Sequence, residues 1–211
     1  MLIICLENWG ELTCECKKKG VYCKHTNFEQ GVRVPFMIMP ALREKQWDAS
    51  RGKQAYAPVE LLDLFPTLVD LTELPRKYGP KQGQYLWQGW TLRPILENPD
   101  AGFIKTYATS QFWRGRGSTR KVGYTIRTTR YRLTTWCPAP FKYNAKKCFF
   151  ELYDFLADPG ETTNMASTLP EIRNRLFNIW RTVETEPSTL KNRPFDLDDR
   201  VALSALRQPF A

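Results

Sequence analysis

The sequence predicts an α/β chain carrying a small antiparallel sheet and a closing helix, and three patterns support this. Two apolar runs of strand length, residues 2–6 and 32–39, stand near the start. The first is apolar throughout, as strands covered on both faces are. From about residue 104 the period changes to two: Val122-Gly123-Tyr124-Thr125-Ile126-Arg127 and Tyr131-Arg132-Leu133-Thr134-Thr135-Trp136 alternate around residues 128–130. That is a hairpin rich in β-branched and aromatic residues. Leu169, Ile172, Leu176, Ile179 and Val183 then recur at helical spacing, with Arg173, Arg175 and Arg181 mostly opposite, so this helix has one face to bury, and the sheet is its natural partner. The expected division is an α/β part over residues 1–103, a sheet-plus-helix subdomain over 104–186, and a charged tail over 187–211.

Residues 2–6 suit a central parallel strand. A chain that opens one residue before such a strand leads us to expect further chain upstream. Glu7 and Asn8 follow at the strand's carboxyl end, where open α/β sheets place functional residues. Their oxygens are hard donors suited to calcium, and a plain turn accounts for them equally well. The stretch 24–37 places Lys24, His25, Asn27 and Glu29 before Gly31, which lets the backbone bend. An apolar run broken only by Arg33 and Pro35 follows. This is the form of a polar, chemistry-bearing loop feeding a buried strand, and Lys24 is a compact cation suited to an anionic group. Residues 43–53 read as a loop. Residues 57–71 read as a largely buried helix with Pro58 in its first turn and a kink or break at Pro66. Residues 75–89 are a loop, and Gly89-x-x-Leu92-x-Pro94-Ile95-Leu96 a short helix or turn. Residues 104–112 and 151–154 complete a sheet of three or four strands. Asp158-Pro159-Gly160 marks a turn, with Asp158 and Glu161 read as turning and capping residues. Thr168-x-x-Glu171 reads as a capping box.

At 211 residues and 42% hydrophobic content with seven Trp, the chain is long and apolar enough to bury a core. The net charge of +9 suits an anionic partner. The charge spreads from Lys17 to Arg207, its one tight run being Lys17-Lys18-Lys19, and no helix-turn-helix or RNA-binding signature accompanies it, so no nucleic-acid partner is expected. Cys14, Cys16, Cys23 and His25 cluster, but Cys-x-Cys fits zinc-ligand spacing poorly. Cys137 and Cys148 flank a proline-containing loop and are able to pair in an oxidising compartment; the sequence leaves that open. The residues at the start are too short and too little basic for a secretory leader, no run reaches membrane-span length, and no Asn-x-Ser/Thr sequon occurs.

Several strings stand in the order they hold in one enzyme family. They are Lys24-His25-Thr26-Asn27-Phe28-Glu29 before Arg33-Val34-Pro35, Asp63-Leu64-Phe65-Pro66-Thr67-Leu68, and Gly123-Tyr124-x-Ile126-Arg127-Thr128. Glu151-Leu152-Tyr153-Asp154 with Asp158-Pro159-x-Glu161-x-x-Asn164-x-Ala166 follows. By these the chain resembles the C-terminal part of a sulfatase, the iduronate-2-sulfatase branch in particular. The resemblance implies the C-terminal portion of an alkaline-phosphatase-like α/β fold that hydrolyses sulfate esters of sulfated glycosaminoglycans, with bound calcium and a lysosomal location. It gives Lys24, with His25 beside it, a substrate-binding role at the sulfate, and puts Glu7 and Asn8 where the family's metal-binding Asp and His or Asn stand. The family's nucleophile, a formylglycine, is made from a Cys/Ser-x-Pro-x-Arg string that is absent from these 211 residues, as is the family's aspartate pair. The expectation is therefore a partial sulfatase with no catalytic residue of its own, inactive by itself. The alternative is a non-catalytic basic module that holds a sulfated glycan.

Overall fold

The computed structural model describes residues 2–5, 26–39, 45–73, 89–99, 106–139 and 146–185, the first four and the last three as backbone only. Strand β1 (Leu2–Cys5) pairs antiparallel with β2 (Phe36–Met39), Leu2 opposite Met39 and Cys5 opposite Phe36. The expected central parallel strand is thus one half of an antiparallel ribbon. Phe36 and Ile38 are partly covered while Met37 and Met39 stand about half exposed, at 52% and 50%; one face of β2 is covered and the other is not. Helix α1 (Glu29–Val32) precedes β2. Gly31 lies inside it, donating to the Phe28 carbonyl at 2.9 Å, and is not the bend the sequence suggested.

Residues 45–50 form a 3₁₀ turn where a loop was expected, because Trp47 is buried and pins it, with the Arg93 guanidinium over its ring. The stretch 57–71 also differs. A 3₁₀ turn (Leu61–Asp63) leads into α2 (Leu64–Leu71), so Pro66 falls in the first turn, where its missing N–H costs no helical bond and forces no kink. Nor is the helix buried all round: Leu61, Leu62, Phe65 and Leu68 are exposed, and Pro66, Thr67 and Val69 form the buried stripe. Asp63 accepts from the Glu60 and Trp90 amides at 2.8 and 2.9 Å, and the Thr67 hydroxyl accepts from Leu92 N at 2.9 Å. These bonds hold α3 (Arg93–Glu97) against α2. The approach is close at Gly89, where a Cβ would lie 1.9 Å from the Leu62 carbonyl oxygen, so only glycine fits. Glu60 reaches onward, accepting from the Thr109 amide and hydroxyl at 2.7 Å each.

The second sheet is the antiparallel meander the alternation predicted. Its order is β3 (Ala108–Arg114), β4 (Lys121–Arg127), β5 (Tyr131–Pro138) and β6 (Phe149–Asp154). Ile126 faces Leu133 and Leu133 faces Leu152 across the strands. Helix α4 (Pro170–Thr185) lays Leu176, Phe177 and Trp180 on these three residues and Ala166, closing the core. The helix opens on Pro170, whose fixed φ suits a first turn. Thr168 stands two residues before the helix rather than at its cap, so the expected capping box is out of register, and its hydroxyl donates back to the Met165 carbonyl at 3.1 Å. Asn164 seats the preceding turn, its side chain bonding Leu152 N and the Phe150 carbonyl of β6. Cys137 and Cys148 are disulfide-bonded, tying the end of β5 to the start of β6. No described helix is long and apolar enough to cross a membrane.

Candidate functional site

A half-wet sheet alternates buried and exposed residues. Strand β5 does not: Arg132 through Cys137 are all buried, Arg132 at 1% exposure. Helix α4 covers one face. Residues 26–29, the segment that follows Lys24 and His25 in the chain, cover the other. Gly123 is where they come closest. The Asn27 amide donates to the Gly123 carbonyl at 3.0 Å, and a Cβ on Gly123 would lie 2.6 Å from the Trp136 ring and 2.8 Å from the Asn27 Nδ2. Phe28 meets Tyr153 edge-on at 5.8 Å, and the Arg114 guanidinium lies 5.9 Å from the Phe28 ring and 4.6 Å from Trp136.

Four charged groups fasten the segment. Arg132 donates to Glu161 through Nε, to Glu29 through Nη2, and to the Asn27 carbonyl through Nη1 at 2.7 Å. The second Glu161 oxygen accepts from the Glu29 amide at 2.8 Å, and Arg127 Nε donates to Glu29 at 3.2 Å. Two guanidinium groups thus balance two carboxylates, with backbone groups taking up much of the remaining bonding capacity, as buried charge requires. Glu161 is 3% exposed and sits at φ 51°, a left-handed conformation that favours glycine; the position is held for its carboxylate.

Burial pushes the Glu29 carboxyl upward, but Arg127 and Arg132 outweigh it, and it titrates below its ordinary value. For Arg127, burial is the main influence and lowers its guanidinium. Burial, with Glu151 and Glu161 nearby, holds the Tyr153 phenol well above its usual range, so it stays protonated. Glu29 and Arg127 are paired with each other, and both act here as structural partners. Asp158 likewise caps the Thr162 and Thr163 amides at 2.6 and 2.8 Å, as its turn role required. Glu161 departs from that role: it turns inward to Arg132.

The sequence-predicted site residues Lys24, His25, Glu7 and Asn8, and the cysteines 14, 16 and 23, lie outside the described residues. What the structure adds is the mount for the segment after Lys24 and His25: Arg132, Arg127, Glu29 and Glu161. Arg132 gave a faint signal, as a charged residue inside a strand otherwise fit to be covered. Among the described residues no group of three or more His, Cys, Asp or Glu could hold a metal ion. Glu7 and Asn8 together offer too few donors for a calcium shell of six to eight oxygens. The described residues do not make up a calcium site, and no step is assigned to one.

Gly123→Ala is expected to push Asn27 and Trp136 apart and to destabilise the chain by about 1–3 kcal/mol. Urea unfolding measures it; an unchanged midpoint would show that the segment does not depend on this contact.

A ribbon, short helices locked by Asp63 and Thr67, and a four-stranded meander closed by α4 match part of an alkaline-phosphatase-like sulfatase fold. Among solved structures, a 2-O GAG sulfatase matches with TM-score 0.54 and 22% identity, covering 83% of this chain and 35% of that one. A phosphonate monoester hydrolase of Agrobacterium radiobacter matches with TM-score 0.50 and 20% identity, covering 73% and 29%. In sequence, the chain is 27% identical to arylsulfatase K of Gallus gallus over 90% of its length and 33% of that protein. It is 28% identical to iduronate 2-sulfatase of Mus musculus over 69% of its length and 35% of that protein. Sulfatase-family homologues therefore cover the chain, which spans about a third of the length of these curated relatives. No protein-family model matches it.

Proposed function

We propose that this chain supplies the sulfate-holding side of a sulfatase acting on sulfated glycosaminoglycans, in the manner of an iduronate-2-sulfatase. Lys24 contacts the sulfate ester and His25 stands beside it. The observation that carries the reading is the mount: the residues directly after Lys24 and His25 are locked to the sheet by four charged groups, which is the rigidity a substrate-positioning loop needs. Homology to arylsulfatase K and iduronate 2-sulfatase supports the same reading. The chain contributes binding; the nucleophile string is not among its 211 residues and no metal cluster lies among the described ones, so on this reading it does not turn substrate over alone. A lysosomal location belongs to this proposal and is supported by the Cys137–Cys148 disulfide, which suits a protein matured in an oxidising compartment. No nucleic-acid partner is part of it.

The test is calorimetric binding of a 2-O-sulfated uronate disaccharide. Lys24→Ala is expected to weaken it roughly ten- to a hundredfold, the worth of a charge-assisted contact, with no sulfate released by either form. Unchanged affinity in the variant would sink the role of Lys24, and sulfate release by the unaltered chain would overturn the non-catalytic part. The second reading, a basic glycan-holding module with no enzymatic role, is favoured by the cations gathered at one end of the second sheet.

A further inference from the structure

We propose that the β3–β4 hairpin end of the second sheet is a docking surface for the extended chain of a sulfated glycan, separate from the Lys24 contact. The charge is less evenly spread than its span from Lys17 to Arg207 suggested. Residues 101–150 hold eleven of the 31 Lys and Arg and none of the 22 Asp and Glu, so this stretch alone carries more than the net charge of +9. The fold then brings a subset of these cations to one place. Arg114 ends β3 and Lys121 begins β4, paired directly across the strands. Like charges so placed destabilise a sheet. Arg116 and Arg120 lie in the turn between them, and Lys147 sits at the same end, one residue before Cys148, whose disulfide holds it beside Cys137 of β5. All five are exposed.

Aromatic faces lie among these cations. Arg120 stacks 4.0 Å from the Trp113 ring and Lys121 lies 4.7 Å from the Phe149 ring, and Trp113 and Phe149 are 40% and 42% exposed. Cation–π contact holds each charged group in place without neutralising it. A row of fixed cations beside flat apolar rings matches a polymer whose charges recur along apolar ring faces. Arg114 also reaches Phe28, four residues after Lys24, so the surface lies next to the segment that follows the proposed sulfate-contacting loop. The ligand class rests on the glycan reading above; the location rests on the charge and ring geometry alone.

The test measures binding of a heparin oligosaccharide of about twenty sugars to the 211-residue chain at several salt concentrations. Arg116→Ser/Arg120→Ser/Lys147→Ser is compared with a control, Lys45→Ser/Lys53→Ser, and circular dichroism checks that both fold. We expect the triple variant to lose about tenfold or more in affinity with a shallower salt dependence, and the control to lose much less. The same triple variant should bind the 2-O-sulfated disaccharide normally, whereas Lys24→Ala should lose mainly the disaccharide. Failure of one reading is thereby told apart from failure of the other. Heparin affinity unchanged in the triple variant, or lost equally in the control, overturns the surface. A DNA duplex of equal charge, bound as tightly and lost in the same way, overturns the glycan as its occupant.

Discussion

Arg132→Met is expected to destabilise the chain by about 3–5 kcal/mol, the usual consequence of removing one partner from a buried ion pair. The side chain is 1% exposed and donates to Glu161, Glu29 and the Asn27 carbonyl. Methionine fills a similar volume but leaves Glu161 and Glu29 facing each other across a space that water does not readily enter. Arg127 still reaches Glu29, so the larger deficit falls on Glu161, whose carboxylate is 1% exposed. The melting temperature should fall by roughly 10 °C in a chain of this size. Acid sensitivity should change in step. Glu29 titrates below its ordinary value, so its contribution is present above about pH 4.3 and is lost as pH falls through the depressed folded value. Without Arg132 that depression shrinks, and the acid transition of the variant should begin at higher pH. A melting temperature within a degree or two of the unaltered chain would show that the cluster does not hold the segment.

Cys137→Ala/Cys148→Ala, or reduction of the unaltered chain, is expected to lower stability by about 2–4 kcal/mol. The bond joins residues eleven apart in sequence and closes the connection between β5 and β6. Its effect in the chain-entropy account is to restrict the unfolded ensemble. It also fixes the end of the sheet at which Cys137 is fully buried and Phe149 stacks on Trp136 at 6.3 Å. Urea denaturation with and without reductant gives the difference directly. Coincident curves would mean that β5 and β6 hold this end unaided.

The sequence made the meander legible because the period of two in residues 122–136 is local, and so are the turn strings that separate the strands. The helix over residues 170–185 was readable for the same reason. The direction of β1 was not. A short apolar run fits a parallel or an antiparallel neighbour, and only the partner, here β2, decides. Residues 57–71 misled because every apolar residue there was counted toward burial, whereas Leu61, Leu62, Phe65 and Leu68 face outward in this chain. At the site, alternation in β5 pointed to one covered face. The second cover arrives from residues more than 90 positions away, as the bonds from Asn27 to Gly123 and from Arg132 to Asn27 show. No local pattern announces a partner at that distance, and Arg132 stood in the sequence only as one polar position of an alternating hairpin strand. Glu161 looked like a turn residue because Asp158-Pro159-Gly160 precedes it, and its inward carboxylate follows only from the charge waiting on β5.

The charged cluster on the second sheet mounts the segment that follows Lys24 and His25. Amide hydrogen exchange in the unaltered chain and in Arg132→Met tests it most directly, because the Glu29 amide itself donates to Glu161. Residues 26–32 should lose protection in the variant while α4 and its contacts with β4 and β5 keep theirs. Protection of residues 26–32 that survives the loss of Arg132 would contradict it.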